Sequence, residues 1–385
     1  MKILMLLPTS FPPDDRVEKE MKALVNAGHE VQLACTAQES RPLKEERDGI
    51  VIHRRYLSTF YYKMSVAALR LPFYFSFWRK FVRDLSAKNT YDVVHVHDLP
   101  LAQIGLELKQ QMGIKFVLDL HENWPASLEG AVHTNTIAGR ILSSNRQWRR
   151  YERDMVKQAD AIITVVEEMK QRIVKLGAEE ESVVIVSNFL DEKSFRLPDM
   201  IPDQNYITLY YAGGINIHRG LQVVIKALKY LISDFPSIRL WIIGKGSYLP
   251  ELISLTQHLG LKGFVDFKGW MNFDGIARSL MQSDVALIPH LKSEQTDNSS
   301  PNKLYQYMYA NKPIMTSDCN SLARVVNGEH VGIVYRHDDP KDFARNFRLL
   351  MQNPKSYIGG HRVVNKRYLW QHAAERLCSL YEKLS

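Results

Sequence analysis

The stretch Asp92–Asp98, "DVVHVHD", decides how the fold is read. Its valines are β-branched, and the run between the two aspartates is nearly continuous in apolar residues. A strand with one wet face alternates apolar and polar residues, whereas a strand covered on both faces of a parallel sheet does not. Runs of the same kind recur around it: "KILMLLP" (2–8), "EVQLACT" (30–36), "KFVLDLH" (115–121), "AIITVV" (161–166) and "VVIVSNF" (183–189). Helical spacing fills the intervals, as in Val17–Ala27, where Gly28 is the expected C-terminal cap. Prolines and charges in "LDEKSFRLPDMIPDQN" (190–205) then break the rhythm, as an interdomain linker does. The alternation resumes with "ITLYYAGG" (207–214), "IRLWIIGKG" (238–246), "FVDFKG" (264–269), "DVALIPH" (284–290), "KPIMTSD" (312–318) and "GIVYR" (332–336). The expected fold class is α/β, with two successive doubly wound, Rossmann-like domains. The last stretch, "YLWQHAAERLCSLYEKL" (368–384), reads as one amphipathic helix.

Length agrees with this division, because 385 residues suit two domains of roughly 150–200 residues better than one core. Cys35, Cys319 and Cys378 lie far apart with no metal-ligand spacing, the pattern of a reduced, cytoplasmic protein. A net charge of +8 points to an anionic partner: a nucleotide, a phospholipid surface or a nucleic acid. No RNA- or DNA-binding motif accompanies the charge, so nucleic acid is not the expected partner. The apolar start "MKILMLL" is too short for a signal peptide and reads as a first buried strand. No run approaches the ~18–20 apolar residues of a membrane span. The nearest, residues 60–85, is broken by Lys63, Arg70 and Pro72.

Ligands of open parallel sheets bind at loops leaving the carboxyl ends of the strands. His95 and His97 share one strand face, and His97 lies nearer the carboxyl end. They are either packed or substrate-facing, or a metal pair whose third ligand is missing from the local sequence. His121 ends the next strand in the equivalent place. In the second half, Gly213 and Gly214 turn the chain toward a helix beginning near Arg219-Gly220. Backbone N–H groups there, with Arg219 beside them, make either a phosphate site or a plain glycine turn. Gly244 and Gly246 follow another strand but lack the third glycine of a dinucleotide fingerprint. Within "SSPNKLYQYM" (299–308), Ser299 or Ser300 can cap a helix, and Pro301 suits its first turn. Lys303 then opposes the helix dipole unless an anion is bound there, which favours an anion site. No two aspartates stand two apart, so no Asp-x-Asp element is present to hold Mg²⁺ on a diphosphate. Arginine, lysine and helix N-termini would do that work, without a required metal.

These motifs, taken in order along nearly the whole chain, resemble the GT4 family of retaining glycosyltransferases with the GT-B fold. The N-terminal half carries "GHEV" (28–31), "DVVHVHD", "ADAIITVVEEM" (159–169) and "VSNFLDEKSF" (186–195). The C-terminal half carries "YAGGINIHRGL" (211–221), "WIIGKGSY" (241–248), "SDVALIPH" (283–290) and "SSPNKLYQYMYANKPIM" (299–315). The resemblance implies two domains facing across a cleft. Residues 1–190 would bind the acceptor, 206–365 the nucleotide sugar, and 366–385 would return as a helix to the N-terminal domain. Arg219 matches the basic residue that contacts the donor diphosphate, and Lys303 belongs to a Ser-Pro-x-Lys subgroup form near the same phosphates. His121 matches the histidine beside the transferred sugar, where it would orient the sugar or stabilise positive charge. Gly213, Gly214, Gly244, Gly246, Asn298, Ser299, Ser300, Pro301, Asn302 and Gln306 are the expected donor-binding positions, while Arg16 and His97 are expected on the acceptor side. Asn298 and Gln306 stand where the family has glutamates, Gly214 stands where many members have an arginine, and "SFPPDDRVEKE" (10–20) replaces the usual glycine pair.

The implied reaction moves a sugar from a nucleoside-diphosphate sugar to a glycan or polyprenyl-diphosphate-linked acceptor. Cell-envelope or exopolysaccharide synthesis is the expected setting, with the protein cytoplasmic at the inner face of the membrane. An anionic membrane surface is a candidate partner, because residues 60–83 mix aromatic and basic side chains. Two alternatives remain open: a non-catalytic nucleotide-sugar-binding subunit, and a sugar-nucleotide 2-epimerase of the same fold.

Overall fold

The computed structural model describes residues 1–37, 41–129, 144–200 and 205–385, without the side chains of residues 62 and 63. The chain divides into two compact units, Met1–Ser187 with Ala373–Ser385, and Asn188–His372.

The first unit is built on an eight-stranded sheet. Its strands are β1 (Lys2–Ser10), β2 (Glu30–Ala37), β3 (Lys44–Arg47), β4 (Ile50–Tyr56), β5 (Val93–His97), β6 (Lys115–Leu120), β7 (Ala161–Thr164) and β8 (Val183–Ile185). They lie in the order β3-β4-β2-β1-β5-β6-β7-β8. Every pair is parallel except β3 with β4. One face of the sheet buries Leu4, Leu6, Val94, Val96, Phe116, Leu118 and Leu120 against Trp78, Tyr74 and Trp148 from helices. The other face carries the alternate residues, and β5 and β6 pair His95 with Val117 and His97 with Asp119. The helix Asp15–Asn26, capped by Asp14 accepting from the Val17 N–H, brings Arg16 and Glu20 to this polar face. The last helix, Trp370–Leu384, brings Tyr381.

The hairpin of β3 and β4 was not anticipated. β3 is the all-charged "KEER", an edge strand with no apolar alternation to reveal it. The turn between them, Asp48-Gly49, has φ of 53° and 76°, the two positive values that a two-residue hairpin turn requires. That dipeptide was the available signal.

The second unit has six parallel strands: β9 (Ile207–Ala212), β10 (Ile238–Ile243), β11 (Val265–Gly269), β12 (Val285–Ile288), β13 (Ile314–Ser317) and β14 (Gly332–Tyr335). Their order, β11-β10-β9-β12-β13-β14, reverses direction between β9 and β12. The first unit reverses in the same way between β1 and β5. At such a reversal the loops leave on opposite faces and open a crevice, so the functional side chains belong there.

Candidate functional site

In the first unit the crevice residues converge on Asp119, which is fully buried on β6. Arg16 Nη2 donates to its Oδ1 at 3.1 Å, and His121 Nε2 donates to its Oδ2 at 2.9 Å. His97 Nδ1 and His95 Nε2 lie 3.4 and 3.6 Å from Oδ2. Arg16 Nη2 also reaches Glu20 Oε1 at 2.9 Å, and its Nη1 donates to the Val186 carbonyl at 2.8 Å. The Tyr381 hydroxyl lies 2.7 Å from His95 Nδ1, and the His95 and His97 rings stack 4.5 Å apart.

The charges follow from these contacts. Burial opposes the Asp119 charge, but Arg16 and His121 outweigh it and hold its carboxyl well below the usual carboxylate range. Burial likewise opposes the charge on His121, yet Asp119 and Asp98 hold its pKa up at about 9. His97, by contrast, is driven down to about 3 by burial and by His95. Burial lifts Glu20 to about 8 against the pull of Arg16. At neutral pH His121 is therefore an imidazolium, a hydrogen-bond donor at both nitrogens.

Arg16 and His97, expected to face an acceptor, are enclosed. Arg16 is 8% exposed with its guanidinium held by Asp119, Glu20 and Val186, and His97 has no exposure. His97 Nδ1 lies 3.2 Å from Nε2 of His121, which is at the accessible edge. His121 and Asp98 side chains keep 16% and 22% exposure, so they form the part of the cluster that a substrate can reach. The missing third metal ligand is supplied by the fold: donor atoms of Glu20, His95, His97 and Asp119 lie within 4.8 Å of one another. This donor set is of a metal-binding type, but Arg16 already pairs with both carboxyl groups.

In the second unit the crevice carries cations. Arg219 Nη1 donates to His290 Nε2 at 2.8 Å, across the reversal between β9 and β12. Burial, then Arg219 and Lys303, push His290 well below its ordinary pKa, which keeps it neutral and able to accept. Lys303 Nζ sits 4.0 Å over the Tyr211 ring. Burial and Arg219 hold its ammonium well below the ordinary lysine range, and the ring face offsets this only in part. A Cβ on Gly213 would lie 2.6 Å from that Nζ, so glycine there is what lets the lysine lie against the turn. Among the described residues no carboxylate lies within ion-pair distance of Arg219 or Lys303, and Arg219 Nε is buried without a hydrogen-bond partner. Two cations held together without a counterion form a site for an anion.

The helix Asn302–Tyr309 starts beside them. Neither serine caps it: Pro301 is the cap residue, no side chain bonds the first N–H groups, and Asn302 is exposed. Ser299 Oγ donates back to the Thr296 carbonyl at 3.1 Å and Ser300 Oγ to the Tyr305 hydroxyl at 3.4 Å, which corrects the expected cap. Leaving the helix start uncapped suits an anion better than a serine would. Asn298 is buried, with Nδ2 donating to the Glu294 carbonyl at 2.6 Å. The Gln306 amide is half-buried and has no side-chain hydrogen bond among the described residues. Gly244 and Gly246 serve loop packing: a Cβ would lie 2.0 Å from the Gly213 carbonyl oxygen and 2.1 Å from that of Ile215. Gly214 is exposed. Sequence reading passed over Asp119, Asp98 and His290, although an aspartate inside the apolar run "FVLDL" was a usable signal.

Comparison with known proteins agrees with this geometry. A family model described as a glycosyl transferase 4-like domain matches residues 14–188, and one described as glycosyl transferases group 1 matches residues 207–353. The chain belongs to the GT4 glycosyltransferases. This glycosyltransferase is 24% identical over 405 residues to a phosphatidyl-myo-inositol mannosyltransferase of Mycolicibacterium smegmatis, covering 100% of this chain and 94% of the relative. Sucrose-phosphate synthase from Thermosynechococcus elongatus superposes with a TM-score of 0.79 at 16% identity, over 100% of this chain and 98% of that one. HepE from Anabaena in complex with UDP does so with a TM-score of 0.73 at 13% identity, over 100% of both. The GT-B fold class is thus shown. Among the described residues no helix of this glycosyltransferase is long and apolar enough to cross a membrane.

Proposed function

We propose that this glycosyltransferase moves a sugar, with retention at the anomeric carbon, from a nucleoside-diphosphate sugar to a hydroxyl of a glycan or lipid-linked acceptor. The observation that carries the reading is the pair Arg219 and Lys303, two cations around Gly213 with no carboxylate partner among the described residues. Donor binding is assigned to residues 206–365 and acceptor binding to residues 1–190. In the reaction the bond from the anomeric carbon to the phosphate oxygen breaks, and the acceptor oxygen bonds to that carbon from the same face. The acceptor proton passes to the departing phosphate oxygen, and the electron pair of the broken bond remains on the diphosphate. Negative charge therefore grows where Arg219, Lys303 and the start of the helix Asn302–Tyr309 point their donors. Because these side chains supply the positive charge, the reading assigns no metal to the diphosphate. The protonated His121 serves as a hydrogen-bond donor to the sugar or its acceptor.

The neighbour that binds UDP and the relative named for a phosphatidylinositol acceptor support the donor and acceptor classes. An anionic membrane surface is supported by the exposed rings of Phe60 and Phe73, 58% and 43% exposed, in a stretch that also carries Arg70, Lys80 and Arg83. The test is incubation with a panel of nucleotide sugars, beginning with UDP-glucose and GDP-mannose, reading nucleotide release with and without a lipid-linked acceptor. Release or transfer is expected. Binding without release would instead make the chain a nucleotide-sugar-binding subunit, and conversion of the donor to its 2-epimer would make it an epimerase.

A further inference from the structure

Of the pair Arg219 and Lys303, only the lysine can lose its charge, because a guanidinium stays protonated in proteins. The free site does little to keep that charge in place. Among the described residues Lys303 Nζ has no hydrogen-bond partner and no carboxylate within ion-pair distance. It lies 4.0 Å over the Tyr211 ring and against the Gly213 turn, where an added Cβ would stand 2.6 Å away. Neither neighbour carries a charge, and only the ring face favours an ammonium. Arg219 sets a like charge beside it. Lys303 is also the second residue of the helix Asn302–Tyr309, where the helix dipole opposes a cation. Burial and Arg219 accordingly hold Lys303 well below the ordinary lysine range. A diphosphate beside Nζ supplies the two things missing there, a hydrogen-bond acceptor and an opposite charge.

We propose that the donor enters this site together with a proton: Lys303 is largely an amine in the free protein and an ammonium once the diphosphate is bound. The buffer acid gives up the proton, the Nζ lone pair takes it, and no covalent bond to the donor forms. Lys303 is then a full cation only in the occupied site. The inference rests on the assignment of the donor diphosphate to Arg219 and Lys303. A site that takes up a proton with its ligand binds that ligand less tightly as pH rises. The other titratable groups around Nζ are silent near pH 8. Burial holds Tyr211 up at about 12, and His290 and His218 are pushed below their ordinary range by burial and by Arg219. The phosphates of the nucleotide have lost their own last proton by then, with a second pKa of about 6. Titration calorimetry with UDP and GDP near pH 8, in buffers of different ionisation enthalpy, counts the protons taken up per nucleotide. The wild type is compared with Lys303→Arg, which keeps its charge at every pH, and with Lys303→Met, which never has one. Wild-type uptake should exceed that of either variant by a number approaching one proton. Wild-type affinity should fall by up to about tenfold for each pH unit above neutrality, and that of the variants should stay level. Heats that do not depend on the buffer in the wild type, or the same uptake in the variants, would overturn the proposal. A wild type that binds neither nucleotide would overturn the donor-site assignment itself, and with it this inference.

Discussion

Replacing Asp119 with asparagine preserves the side-chain shape and removes one buried charge. In the folded protein that charge serves Arg16 at 3.1 Å and His121 at 2.9 Å. Removing one partner of a buried ion pair lowers stability by about 3–5 kcal/mol. Glu20, the other carboxyl beside Arg16, is held protonated up to about pH 8, so at pH 6.5 the guanidinium is left without a charged partner and a loss of at least about 3 kcal/mol is expected. The substitution should also change how stability depends on pH. His121 is raised from 6.5 to about 9, so between those values the folded state holds a proton that the unfolded state has lost. Its contribution is therefore complete below pH 6.5 and disappears as pH rises through 9. Glu20, raised from 4.5 to about 8, acts in the same direction, because stability falls wherever the folded state binds the extra proton. Urea unfolding of the wild type should show a midpoint that falls from pH 6.5 to pH 9. Asp119→Asn should show a lower midpoint at pH 6.5 and a shallower fall, because His121 loses its main source of charge stabilisation. A variant within about 1 kcal/mol of the wild type at pH 6.5, or one with an unchanged pH slope, would refute the assigned network.

Two further substitutions test the second unit. A methyl group on Gly220, whose φ is 70°, would lie 1.7 Å from the Pro289 carbonyl oxygen, so Gly220→Ala should lower stability by about 2–4 kcal/mol. A thermal melt matching the wild type would contradict that packing. Gln306→Glu should leave nucleotide-sugar binding intact or up to about tenfold tighter, since a carboxylate accepts hydroxyl hydrogen bonds more strongly than an amide. Calorimetry showing abolished binding would place Gln306 against something other than donor hydroxyls.

The doubly wound pattern was legible because buried parallel strands such as "DVVHVHD" and "IRLWII" announce themselves by apolar continuity, which needs no tertiary information. β3 was not, because its four charged residues are held by pairing with β4 and not by burial. Arg219 and Lys303 were legible as cations placed where a helix begins. Their lack of carboxylate partners was not, since it depends on which strands neighbour β9. Arg16 shows the limit most plainly. From sequence it was expected on the acceptor side, while in the fold it is sealed between Asp119, Glu20 and Val186. The same contact, read from the other end, explains how Asp119 stays ionised and keeps His121 charged. Local spacing cannot show a pair separated by 103 positions.

The central claim is that Arg219 and Lys303 hold the donor diphosphate, and calorimetric titration with UDP and GDP tests it most directly. Each substitution, Arg219→Ala or Lys303→Met, removes a charge-assisted hydrogen bond worth about 1.5–3 kcal/mol. The affinity for the preferred nucleotide should therefore fall roughly 10- to 100-fold in either variant, with the melting temperature of the free protein little changed. Equal affinity in wild type and both variants would contradict the account.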